Sequence, residues 1–180
     1  MKKITHGEIF KAIERWAPQH FAYDWDNVGL QVDSYTDETK AILVTLDVDD
    51  AVVEEAIEKG ANLIVAHHPL MFKSVKKIDY DTVKGSLLKK IIAHNLTVYA
   101  SHTNLDIASG GVNDLLSDAL RLEHVKPLVV TKEEKLFKLA VFTPVTHVQE
   151  VVDALSESGA GHIGNYSHCT FQSEGFGTFK

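Results

Sequence analysis

Three short strand-like runs, Ala41–Leu46, Asn62–Ala66 and Leu96–Ala100, alternate with helical patterns, and this alternation constrains the fold more than any other feature of the chain. Ala41–Leu46 is continuously apolar and partly β-branched, the pattern of a strand buried on both faces. Asp49 or Asp50 then caps a helix over Ala51–Lys59, and Gly60 closes it. Asn62-Leu63-Ile64-Val65-Ala66 gives the next buried strand. Leu87, Leu88, Ile91 and Ile92 line a second helix, stopped near Asn95, before the third strand begins. Strands separated by helices pair in parallel, so residues 1–130 read as an α/β lobe built from β-α-β units.

The flanks fit this frame. Thr5 and Glu8 have capping-box spacing, and Ile9, Phe10, Ile13 and Trp16 follow at helical intervals up to Pro18. Asp24-Trp25-Asp26-Asn27-Val28-Gly29-Leu30 is rich in turn formers and reads as a loop entering a short strand. Gly110-Gly111-Val112-Asn113 leads into another helix through Leu115, Leu116, Ala119 and Leu120. The texture changes after Val125, with Pro127 and the charge run Thr131–Lys135, which places a domain boundary near residue 130. Residues 131–180 then predict a strand at Leu136–Phe142, a helix opened by a Thr146/Gln149 capping box and closed by Gly159, and a strand at Tyr166–Phe171. That is the start of an α+β domain, and the apolar run to Phe179 reads as truncation within it.

Charge and cysteine content narrow the function classes. A net charge of −7, from 25 acidic and 18 basic residues, argues against a nucleic-acid surface. Cys169 is the single cysteine, which excludes an internal disulfide and thiolate metal clusters and points to a reducing compartment. In a strand-like run it is expected to pack as a small buried hydrophobe. No secretory signal core or membrane-length apolar run is present, so the expected location is cytoplasmic, without membrane association.

In parallel sheets, functional groups gather beyond the carboxyl ends of the strands. Those ends carry Asp47, the pair His67-His68, and Ser101-His102-Thr103-Asn104-Leu105-Asp106. Imidazole with carboxylate suits zinc first, and also iron, manganese or nickel. Adjacent histidines leaving a strand project differently, so each can serve a separate ion, with Asp106 as a bridge. His6, His20, His94, His124, His147, His162 and His168 sit on helices, at helix ends or in the unfinished segment, and are set aside as ligands. Lys73, Lys76 and Lys77 follow the pair and are candidate phosphate contacts. Gly159-Ala160-Gly161-His162-Ile163-Gly164 spells a dinucleotide fingerprint but follows a helix and precedes a strand, so it reads as a cap and turn. There is no Walker A sequence, and no Ser-His-Asp or Cys-His assignment emerges; the catalytic residues stay unknown.

The stretches Trp25–Leu30, Ala66-His67-His68-Pro69-Leu70-Met71-Phe72 and Ser101–Asp106, in that order, resemble the GTP cyclohydrolase I type 2 homologue family, the NIF-three-like proteins. The likeness covers residues 1 to about 125. From about residue 136 the chain, including Gly164-Asn165-Tyr166 and Ser173-Glu174-Gly175, resembles the PII/CutA-like domain inserted into some bacterial members. The resemblance implies two divalent metal ions per full-length subunit, held by His67, His68 and Asp106, with His102 lining or joining the centre. It also implies toroidal hexamers and further ligands, a His and a Glu, from a C-terminal lobe; nothing in these 180 residues matches that pair.

Two ions about 3.5–4 Å apart activate water near neutral pH, so a metal-dependent hydrolase is the expected function, and the resemblance implies a nucleotide-like small molecule as its substrate. The family name implies opening of the guanine ring of GTP with release of formate. Asp47 would support a ligand or exchange protons, and the lysines would meet phosphates. The alternative is a non-catalytic metal-binding regulator or scaffold with a ligand-sensing insert, or a cluster that only staples two lobes.

Overall fold

The computed structural model describes residues 3–34, 38–130, 137–163 and 166–178. The chain divides into two compact units, Met1–Lys132 and Glu133–Lys180. In the first, helix α1 (His6–Trp16) opens with the expected capping box, Thr5 and Glu8 each accepting the other's backbone N–H. Four strands follow: β1 (Gly29–Val32), β2 (Ile42–Thr45), β3 (Leu63–Ala66) and β4 (Thr97–Ala100). Their order is β1-β4-β3-β2, with β2, β3 and β4 parallel and β1 antiparallel to β4. Helix α2 (Asp50–Glu58) links β2 to β3, and α3 (Val83–Ala93) links β3 to β4. Asp49 caps α2 by accepting from Val52 N–H, and Thr82 caps α3 through Gly85 N–H.

The main core lies between the sheet and these two helices. Val53 and Ala56 of α2 and Leu87, Leu88 and Ile91 of α3 close over Ile64 and Val98, all buried. Side chains alternate across a strand, so Tyr99 points to the opposite face, where it stacks on Phe10 of α1 with ring centroids 4.6 Å apart. The Tyr99 hydroxyl donates to Glu14 Oε1 at 2.9 Å. Burial first, and Glu14 second, push this phenol above the ordinary tyrosine range.

Several expectations are corrected. Ala41–Leu46 is not buried on both faces: β2 is one of the two edge strands of the described sheet, and Ile42, Val44 and Leu46 are exposed on one side. Residues after β4 turn at once into the short helix α4 (Thr103–Ile107), followed by α5 (Val112–Ala119). Gly111 permits that close turn, because a Cβ there would sit 1.9 Å from the Leu105 carbonyl oxygen.

In the second unit, α6 (Val148–Glu157) forms, but Thr146 Oγ1 pairs with His147 Nδ1 rather than capping, and a 3₁₀ turn (Val145–His147) precedes the helix. Phe137–Phe142 is not a strand; Leu136 and the charge run Thr131–Lys135 lie outside the described residues. Tyr166–Phe171 is reduced to one bridge between Ile163 and Tyr166. A strand needs a ladder to satisfy its backbone groups, and these segments have none among the described residues. Cys169 is accordingly half-buried, not a core residue. Gly159 and Gly161 adopt φ of +96° and +67°, the cap and turn expected, while Gly164 and Asn165 lie outside the described residues.

Ile64→Ala, at the centre of the sheet, is expected to cost about 2–5 kcal/mol in urea unfolding. Tyr99→Phe loses one hydrogen bond to a partly exposed carboxylate, about 1 kcal/mol. The raised Tyr99 pKa also predicts a sign. Its stabilising contribution is complete below about pH 10, where the unfolded phenol titrates, and is lost as pH rises toward the folded value. Stability measured from pH 9 upward should therefore fall more steeply in the natural protein than in Tyr99→Phe.

Candidate metal centre

The carboxyl ends of the three parallel strands lie in register, and this brings the candidate residues together. Thr45 pairs with Ala66 and Ala66 with Ala100, so the residues that follow each strand emerge side by side. His67 and His68 continue the ladder, their N–H groups donating to the carbonyls of Thr45 and Leu46 at 3.0 and 2.8 Å. The rings of His67, His68 and His102 stand 5.1 to 5.5 Å apart, and one ring nitrogen from each lies within 4.8 Å of the other two. His102, two residues beyond the carboxyl end of β4, is thus a full member of the cluster.

Each imidazole is oriented by an oxygen on its Nδ1. For His67 it is the Ser101 carbonyl at 3.0 Å, for His68 Asp47 Oδ1 at 2.8 Å, and for His102 Asp26 Oδ1 at 2.9 Å. An acceptor at Nδ1 selects the tautomer that leaves a lone pair on Nε2, the arrangement that metal-binding histidines adopt. His67 Nε2 faces Asp106 Oδ1 at 3.6 Å, one turn into α4. Three imidazoles oriented through Nδ1, beside a carboxylate, fit a borderline divalent cation such as zinc or iron.

Asp26 was not singled out by spacing, since it lies 76 residues from its partner, yet it is the most deeply embedded group of the site. Its carboxylate has no solvent exposure. Besides His102, it accepts from Thr103 N–H, Thr103 Oγ1 and its neighbour's amide, Asn27 N–H. Burial raises its pKa, but the hydrogen bonds from His102, Thr103 and Asn27 together outweigh that effect and hold it below the usual carboxylate range. Asn27 adds a second tie, its side-chain amide donating to the Met71 carbonyl at 2.6 Å, while Gln31 Oε1 accepts from Met71 N–H. Gly29, at φ +92°, lets the chain turn here beneath the Gln19 side chain. The signal that could have found Asp26 was a turn-rich stretch too polar for a loop with no partner.

The lysines are not brought into the cluster. Lys76 and Lys77 line a separate cleft of about 450 Å³ with Gln31, Met71 and Leu88, and Lys77 pairs with Asp79 at 3.0 Å. Lys73 is exposed. Among the described residues no helix is long and apolar enough to cross a membrane.

The fold and site define an α/β protein with histidines and carboxylates assembled at the carboxyl ends of parallel strands. The chain belongs to the Duf34/NIF3 (NGG1p interacting factor 3) family, whose model matches residues 4–174. It is 49% identical over 179 residues to a GTP cyclohydrolase 1 type 2 homolog of Halalkalibacterium halodurans, a match covering 99% of this chain and 48% of that protein. The corresponding Bacillus subtilis protein is 46% identical with the same coverage. A crystal structure of a Bacillus cereus protein related to NIF3 superposes with a TM-score of 0.81 at 48% identity, covering 99% of this chain and 50% of that one. The chain therefore spans about half the length of the curated relatives it matches.

Asp26→Ala should destabilise the lobe by about 3 kcal/mol in urea unfolding, because it strands several buried donors at once. Asp26→Asn keeps an acceptor and should lose distinctly less. Equal, negligible losses in both would mean that the carboxylate does not organise the site.

Proposed function

We propose that this chain carries the histidine-bearing part of a metal-dependent hydrolase acting on a nucleotide-like substrate. His67, His68 and Asp106 are the proposed ligands, and His102 is joined to them because its ring nitrogen falls within the same set. The single observation that carries the reading is the common orientation of the three imidazoles, each fixed through Nδ1 by an oxygen acceptor. Surface histidines meeting by chance have no reason to share that arrangement.

A divalent ion supplies Lewis acidity and lowers the pKa of the water it binds. The chain's own residues do the rest. The Ser101 carbonyl, Asp47 and Asp26 hold the imidazoles in one orientation, which spares the site the cost of ordering them when an ion arrives. Asp106, partly exposed beside His67, would serve as a ligand or take up a proton. Asp47 is itself exposed and serves His68 as an orienting group. Among the described residues Lys73 and Lys76 are in no ion pair, which leaves them as the candidates for substrate phosphates. Relatives of about twice this length are named GTP cyclohydrolase 1 type 2 homolog, and that name supports a guanine nucleotide as the first substrate to try. Further His and Glu ligands from the remainder of such a protein, two ions per full subunit, a ring-shaped homo-oligomer and a cytoplasmic setting belong to the same proposal.

Elemental mass spectrometry on the full-length protein tests it. About two ions per chain are expected, falling to below about one in the His67→Ala/His68→Ala double variant, with formate release from GTP lost in parallel. A metal-free full-length protein would overturn the site assignment. Metal retained at full stoichiometry, with no turnover of any nucleotide, would replace the hydrolase by a metal-binding scaffold.

A further inference from the structure

Beside the histidines lies a group of aromatic rings that the proposed hydrolysis does not use. Trp25 is 58% exposed, Phe72 48% and Tyr23 37%, all on the loops that flank the cluster. Tyr23 lies almost parallel to the indole, with centroids 5.4 Å apart and planes 11° apart. Phe72 stands 5.8 Å from the indole at 57°, and the edge of the His102 ring meets it at 6.3 Å and 73°. A contiguous exposed aromatic patch of this kind beside a polar cluster points to a binding surface.

The loop that presents Trp25 is anchored rather than slack. Tyr23 N–H donates to Thr103 Oγ1 at 3.2 Å, Asp26 N–H to the Tyr23 carbonyl at 3.0 Å, and the Asn27 side chain to the Met71 carbonyl at 2.6 Å. The indole thus sits on a loop tied to Thr103 and Asp26, and Asp26 also aims His102. Rigid aromatics add contact area at little entropic cost, and stacking between an aromatic side chain and a base is worth about 1–3 kcal/mol.

We propose that Trp25, backed by Tyr23 and flanked by Phe72, is a stacking shelf for a planar heteroaromatic ring of the purine class. The shelf holds the ring beside the nitrogens of His67, His68 and His102. Flatness is selected by the indole face, and the polar cluster that begins at the His102 ring favours a ring with donors and acceptors on its edge over an aliphatic or purely hydrocarbon ligand. The inference takes its choice of ring from the hydrolytic reading and adds to it the place where the base lies.

The test uses the full-length protein with guanosine, GTP and inorganic tripolyphosphate as separate probes in isothermal titration calorimetry. Trp25→Ala should weaken guanosine and GTP alike, by about 5- to 150-fold, with tripolyphosphate affinity and bound metal unchanged. Trp25→Phe, which keeps a ring, should recover most of the loss. Guanosine failing to bind the natural protein, or binding Trp25→Ala equally well, would overturn the shelf. So would a Trp25 indole shielded from acrylamide quenching in the free full-length protein, read as the difference from Trp25→Phe, because the rest of the chain or a second copy would then cover it. The two readings fail separately. Guanosine binding lost in Trp25→Ala without any metal or turnover keeps the shelf and removes the hydrolase; turnover with guanosine affinity indifferent to Trp25 does the reverse.

Discussion

The parallel pairing of β3 with β4, in the register that sets Ala66 opposite Ala100, is the constraint on which the histidine cluster depends. Ser101 N–H donates to the Ala66 carbonyl at 2.9 Å and His67 Nδ1 meets the Ser101 carbonyl at 3.0 Å, so the ladder runs directly into the site. Side chains alternate at every residue of a strand. A slip of one position would turn His67 to the other face and bury a polar ring against α2 and α3. The register is secured away from the site by Ile64 and Val98, whose side chains fill the space under the two helices and have no alternative position there. Core packing at one level of the sheet thereby fixes imidazole geometry at the next.

The same logic explains which parts of the molecule were legible in the sequence. Ala41–Leu46, Asn62–Ala66 and Leu96–Ala100 announced themselves because parallel strands need apolar side chains at nearly every position, and Asp49, Gly60 and Asn95 punctuate the helices between them. The histidines were legible because polar residues ending such strands have nowhere to go except the crevice. Asp26 was not legible by spacing, because its partners His102 and Thr103 lie 76 and 77 residues away and only the folded chain brings them to it. Edge position was also hidden: β2 has the composition of a central strand, and its exposure follows from which strands are available to pair, a property of the whole sheet.

The second unit shows the limit of local reading. Phe137–Phe142 and Tyr166–Phe171 have strand composition, yet strand propensity largely measures how well a side chain packs on a neighbouring strand. Without a ladder among the described residues, the Phe137, Phe142 and Phe171 side chains stay exposed while α6, whose backbone bonds are all internal, forms. Helices tolerate isolation from the rest of a domain far better than strands do.

The three imidazoles differ in how firmly they are held, and the difference has a direction. His67 is fixed by a backbone carbonyl at the end of β4, as rigid as the sheet itself. His102 is fixed by Asp26, whose carboxylate is fully withdrawn from solvent and bound by several further donors, so its hydrogen bond is protected from competition by water. His68 is fixed by Asp47, which is 66% exposed, and a bond at such a position contributes little once solvent and salt screen it. The site is therefore stiff on the side of β4 and α4 and compliant on the side of β2. Two of the three imidazoles are therefore placed by the fold itself, while the third keeps some freedom to adjust without straining the strands that carry it.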